Sequence, residues 1–335
     1  MSLDNTWRLL QRQNIIEQFA SVLYVNPPAD LAIMPPHSAW HVYAHSSVYA
    51  SNLLPKPGHQ VSAYYNHTAE CEAVVVFLPK EKALAEFLFQ QLASQLPLNT
   101  QVFIVGANDS GIRALFKKSI QGFAPLHKYA SGSHCQLLTT ELLSTLPFDA
   151  ELSVRSVDLS VQQQSHQVFF LPGVFGENRL DSGTEFLLAN MPTNVSGKVL
   201  DFGCGSGVIS AWLAANRNIS QLLASDLSTL AVTAAHHTLN KVDIAHEVRL
   251  SDGFQHIDER FDWVITNPPF HQGKNTDYRI TSDFIRALKN HLRPGGRVVM
   301  VANNFLPWPS LLQAEFKHVE TIAHNQRFTV TLARS

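Results

Sequence analysis

The sequence predicts an α/β protein of two domains, each around a mostly parallel sheet, and three observations point that way. From Lys198 onward, short apolar runs alternate with helical stretches, the pattern of a parallel sheet covered on both faces. The last two runs, 319–323 and 327–332, are too close for a helical crossover, so they close a seven-stranded mixed sheet as an antiparallel hairpin. Upstream, 73–79 and 102–108 echo 262–268 and 298–304, as if one plan were used twice.

In order, 7–19 reads as a helix, and 20–25, 39–43 and 60–64 as short strands. A buried strand at 73–78 ends at Pro79. The helix over 81–96 carries Leu84, Phe87, Leu88 and Leu92 at helical spacing, and strand 101–105 leads into a short helix at 112–119. Periodicity weakens over 146–164. The Ser/Gln-rich piece at 160–165 sets the expected boundary, giving domains 1–160 and 161–335. Beyond it come a strand from Val168 into a turn at Pro172-Gly173, and a helix to Asn190 capped by Asp181 or Ser182. Strands at 199–201, 221–225, 247–250, 261–266 and 297–302 then alternate with helices at 208–215, 228–239, 282–292 and 310–316.

Length and composition narrow the class. A chain of 335 residues suits about two domains. With 45% hydrophobic and 16% charged residues it can pack a core. A net charge of −2 argues against binding naked nucleic acid through many phosphates, so such contact would need a local patch. The basic pieces at 113–118 and 286–297 are either that patch or solvated helix faces. Cys71, Cys135 and Cys204 are odd in number and far apart, as expected of reduced thiols in a cytoplasm. The sixteen histidines are scattered, and no metal is expected. Neither a leader pattern nor a run long enough for a bilayer stands out, so no membrane role is expected.

The chemistry concentrates after strand 199–201. Asp201-Phe202-Gly203-Cys204-Gly205-Ser206-Gly207 is an acid followed by alternating glycines and a helix start. Glycines let a ligand approach the backbone, and the helix N-terminus attracts electron-rich groups. The G-x-G-x-G spacing differs from the dinucleotide fingerprint G-x-G-x-x-G. It resembles motif I of methyltransferases that use S-adenosylmethionine (SAM). Asp201 would then orient the methionine ammonium, with the Gly203, Cys204 and Gly205 backbone along the methionine and ribose. Asp226, beside Leu227 at the end of the next strand, can accept from both ribose hydroxyls. Asp252-Gly253 is either an adenine-binding pair or an ordinary turn.

Asn267-Pro268-Pro269-Phe270 follows a buried strand at the same sheet edge. It resembles motif IV of methyltransferases acting on amines conjugated to a ring or carbonyl. The Asn267 side-chain oxygen and Pro268 carbonyl can accept both N–H bonds of such an amine, and Phe270 can stack on the base.

Leu171-Pro172-Gly173-Val174-Phe175, Leu180-Asp181-Ser182-Gly183-Thr184, the glycine turn, Asn267-Pro268-Pro269-Phe270-His271-Gln272-Gly273 and Ala302-Asn303-Asn304-Phe305-Leu306-Pro307 together resemble the bacterial 16S rRNA guanine-N2 methyltransferases, the small-subunit methyltransferase C family. The resemblance covers 169–335 well and the first half sparsely. It implies two class I (Rossmann-like) methyltransferase domains. The first is degenerate and serves folding and RNA contact; the second binds SAM and methylates a guanine of 16S rRNA in the 30S subunit. It also implies that Phe175 and the 181–184 turn cover the cofactor or guide the base. A monomer is expected. The large-subunit (23S rRNA) guanine-N2 enzymes share the motif, release-factor methyltransferases end it in tyrosine, and DNA adenine methyltransferases would need a recognition domain not visible here. A non-catalytic ribosome-assembly factor that keeps the fold is the rival of another class.

Overall fold

A computed structural model describes residues 4–28, 40–46, 59–66, 71–176, 179–268 and 278–335. It divides into two compact units, Met1–Ser153 and Val154–Ser335.

In the first unit, helix α1 (Asn5–Gln11) precedes β1 (Val22–Val25), β2 (Trp40–Ala44), β3 (Gln60–Val61) and β4 (Ala73–Phe77). Helix α2 (Lys82–Gln95), β5 (Gln101–Ala107), α3 (Ile112–Leu115), β6 (His127–Gly132), β7 (Cys135–Glu141) and α4 (Ala150–Ser153) follow. The seven strands lie in the order β3-β2-β1-β4-β5-β7-β6. The first five are parallel and β7 is antiparallel to both β5 and β6. The expected first helix is split: α1 stops before Asn14, whose φ of +50° turns the chain into a 3-10 turn at Ile16–Gln18.

The second unit starts with a hairpin, β8 (Arg155–Val161) and β9 (Gln164–Phe170). The Ser/Gln-rich piece is its turn rather than a linker, with Gln162 and Gln163 at positive φ, and the expected edge at 160/161 falls within β8. Then come α5 (Ser182–Ala189), β10 (Ser196–Phe202), α6 (Val208–Asn216), β11 (Asn218–Asp226), α7 (Thr229–Leu239), β12 (His246–Leu250) and β13 (Phe261–Thr266). Helix α8 (Tyr278–Asn290), β14 (Leu292–Asn303), α9 (Trp308–Glu315), β15 (His318–His324) and β16 (Phe328–Arg334) complete it. The sheet order is β12-β11-β10-β13-β14-β16-β15, the same plan as in the first unit. Each sheet is mixed: five parallel strands, then a hairpin whose last strand inserts beside the fifth.

Strand residues alternate between two cores, as the two-residue period requires. Val199, Trp263, Ile265 and Val299 pack with α5, α6 and α7, whereas Leu200, Val264, Val298 and Met300 pack with α8 and α9. Burial on both faces explains why these strands read as continuous apolar runs. It also leaves only their carboxyl ends for ligands. Gly207 links α6 to this frame. Its φ is +81°, and a Cβ there would stand 3.3 Å from the Cα of Ala235 on α7. Gly207→Ala is expected to lower stability by about 1–3 kcal/mol, read as a fall in Tm; an unchanged Tm would contradict this packing.

Candidate active site

The site forms where β10, β11, β12 and β13 end. Asp201, one residue inside the end of β10, is fully buried. Its Oδ2 accepts from the Ser210 amide (3.0 Å) and hydroxyl (2.6 Å) in the first turn of α6. Its Oδ1 is buried with no hydrogen-bond partner among the described residues. Burial pushes this carboxyl up to about 7, despite the two Ser210 bonds that favour the charge. An orphaned, buried carboxylate oxygen is what an incoming ammonium would satisfy.

The glycine turn is closed from below. The Gly203 and Cys204 amides donate to the Ser225 carbonyl at 2.9 Å, and the Gly207 amide to the Cys204 carbonyl at 2.8 Å. At Gly205 the φ is +54° and a Cβ would meet nothing within 4 Å, so the turn opens onto free space. The Cys204 thiol is buried, and burial pushes it far above its ordinary value, so it serves packing rather than nucleophilic chemistry.

Asp226 ties the turn to the next strand. Its Oδ2 accepts from the Gly205 amide (3.0 Å) and its Oδ1 from the Ser228 amide (2.9 Å). Burial raises its pKa, and the backbone bonds partly oppose that. Each oxygen keeps a lone pair for a further donor. Leu227 beside it is 40% exposed, an apolar surface open at the rim. The Ser251 amide donates to the Asp226 carbonyl, which brings Asp252 and Gly253 alongside. A Cβ on Gly253 would also meet nothing within 4 Å. Arg249 stakes this loop down through Glu247, Glu259 and the His256 carbonyl, and holds the Glu259 carboxyl at about 2.

Asn267 follows β13 directly. Its Nδ2 donates to Asp181 Oδ2 (3.1 Å) and Thr184 Oγ1 (3.0 Å). Asp181 is the N-cap of α5, accepting from the Gly183 and Thr184 amides at 2.9 Å. The capping role is the expected one; the bond to Asn267, 86 residues away, has no local signature. Pro268 is half-buried beside Asn267, while Pro269, Phe270 and 271–273 lie outside the described residues. Phe175 and Phe305 are each 65% exposed.

The basic stretch 286–297 is paired with groups on its own helix and on neighbouring elements. Arg286 meets Asp283 and Glu315, Arg293 meets Asp262, and Arg297 lies over the Trp263 ring. Of the two readings of this stretch, local patch or solvated helix face, these pairings favour the solvated face. Among the described residues no cluster of three His, Cys, Asp or Glu could hold a metal, and no helix is long and apolar enough to cross a membrane.

The first unit lacks this chemistry at the matching positions. Val25 pairs with Val76 as Asp201 pairs with Ile265, each partner three residues before a strand-ending proline, Pro79 or Pro268. Val25 thus replaces Asp201, Pro27 replaces Gly203 and Leu78 replaces Asn267. By the same register His45 replaces Asp226, and it is buried and bonded to the Tyr43 hydroxyl at 2.9 Å.

Residues 165–332 match the methyltransferase small domain, and residues 8–156 match the methyltransferase small domain N-terminal family. The ribosomal RNA small subunit methyltransferase C of Escherichia coli (strain K12 / DH10B) is 35% identical over 329 residues, covering 96% of this chain and 94% of that one. The chain belongs to the ribosomal RNA small subunit methyltransferase C family. Another member, from Photorhabdus laumondii, is 36% identical over 275 residues, 80% of each chain. The fold is that of a solved 16S rRNA guanine-N2 methyltransferase from T. thermophilus, in complex with AdoMet and guanosine (TM-score 0.81, 22% identity, 99% of this chain and 92% of that one). Each unit of this family member is therefore a methyltransferase domain.

The raised Asp201 carboxyl has a consequence for stability. A folded pKa above the unfolded value of about 3.9 means stability is full below that value, falls as pH rises toward 7, and levels off above it. Asp201→Asn should therefore gain in Tm relative to the parent chain between about pH 4 and pH 7.5. A Tm difference constant across that range would contradict the burial of an unpaired carboxylate.

Proposed function

We propose that the protein methylates the exocyclic N2 amine of a guanine in 16S rRNA, with the assembled 30S subunit as substrate and SAM as methyl donor. The observation that carries the reading is the convergence of Asp201, Asp226 and Asn267 on one sheet edge, around a glycine turn open to solvent. The family's curated members bear the corresponding name. When bound, SAM supplies a methyl group on a positively charged sulfur. Asp201 Oδ1 would take the methionine ammonium, the Gly203–Gly205 backbone would lie along the methionine and ribose, and Asp226 would accept from the ribose hydroxyls. Leu227, Asp252 and Gly253 would border the adenine.

A guanine N2 is a poor nucleophile because its lone pair is delocalised into the ring. The Asn267 side-chain oxygen and the Pro268 carbonyl would accept its two N–H bonds, favouring pyramidalisation and aiming the lone pair at the methyl. Catalysis is then mainly positioning. The nitrogen turns acidic as it is alkylated, so its proton can leave to water without a strong base. The base must leave its stack to reach this edge, and Phe270 would offer it a face. The first domain would serve folding and RNA contact, since Val25, Pro27 and Leu78 remove the cofactor and amine contacts. The protein would act in the cytoplasm as a monomer, without a metal.

Transfer of labelled methyl groups from SAM should mark 30S subunits and spare 50S subunits, free RNA and release factor. Asn267→Ala should lower kcat by about a hundredfold or more with SAM affinity within twofold. Label on 50S or release factor alone would overturn the substrate. No transfer despite normal SAM binding would favour a ribosome-assembly factor.

A further inference from the structure

We propose that Asp181 and Thr184 are positioning residues that latch the Asn267 amide, so that its oxygen and not its NH2 faces the acceptor amine. This deepens the reading above and rests on it. A side-chain amide has an accepting and a donating end, nearly identical in shape. Rotation by half a turn would present NH2 to a substrate NH2, donor against donor. Something must choose the end.

Asp181 chooses it. A carboxylate only accepts, so the end that faces it must be Nδ2. One amide hydrogen goes to Asp181 Oδ2 at 3.1 Å and the other to Thr184 Oγ1 at 3.0 Å. Both are spent, and the oxygen points away from the latch. The carboxylate is itself fixed, because the same Oδ2 takes the Gly183 and Thr184 amides at the start of α5. Thr184 is buried, so water does not compete for its hydroxyl. Gly183 leaves the room: a Cβ there would stand 3.0 Å from Asp181 Oδ2 and 3.5 Å from Asn267 Nδ2. The latch also accounts for an amide rather than an acid at 267. An aspartate would set two carboxylates face to face at this spacing.

The test uses the full chain and two independent readouts. In labelled-methyl transfer to 30S subunits, Thr184→Val should lower kcat about tenfold, while SAM affinity by calorimetry and KM for 30S stay within twofold. Thr184→Ser, which keeps the hydroxyl, should recover most of the loss. In thermal melts at pH 7.5, Asn267→Ala and Thr184→Val should each lower Tm, and the double variant should lose less than the sum of the two, because both remove the same bond. A valine variant as active as the serine variant, or Tm changes that merely add, would overturn the latch. The melt does not depend on activity. Coupling in the melt with no transfer to 30S by the parent chain would keep the latch and sink the functional reading instead.

Discussion

A carboxylate with one oxygen bonded and the other stranded governs the working end of this molecule. Asp201 is held beneath the start of α6 by Ser210, and its second oxygen is buried with no partner among the described residues. Burying such a group is costly, and burial keeps its pKa near 7. The cost is tolerated at a place where a positively charged ligand group can relieve it. The open glycine turn above it and the half-occupied Asp226 beside it have the same character: each is a backbone or carboxylate group with capacity left over.

The two sheets give an internal control for that view. They share strand order and direction, so topology alone cannot make one of them a cofactor site. The difference lies in a few side chains at strand ends. Where the second sheet has Asp201, Asp226 and Asn267, the first has Val25, His45 and Leu78, and where one chain turn has glycine the other has Pro27. On that edge the Tyr43 hydroxyl is bonded to His45, Gln91 and the Ala63 carbonyl. One topology thus carries two different sets of strand-end residues within one chain.

Much of the second domain was legible because its strands are buried on both faces and its turns are marked by glycine, aspartate or proline. The parallel core, the closing hairpin and the acids at strand ends all follow from such runs. Other parts carried no such signal. Strand β6 is largely exposed, and β8 has only Leu159 and Val161 buried, so neither shows an apolar run. Pro294-Gly295-Gly296 reads as a loop, yet β14 runs through it with a register shift against β13. The glycine turn and Asp226 were readable from spacing. The hold of Asp181 on Asn267 was not, because a contact across 86 residues leaves no periodicity to read.

The claim that one sheet edge of two carries the chemistry is tested most directly by counting SAM sites. Isothermal titration of the full chain should give one SAM per chain. Asp226→Ala should abolish or greatly weaken that binding, and His45→Ala should leave it intact. A stoichiometry of two, or full binding by the Asp226→Ala protein, would contradict the account.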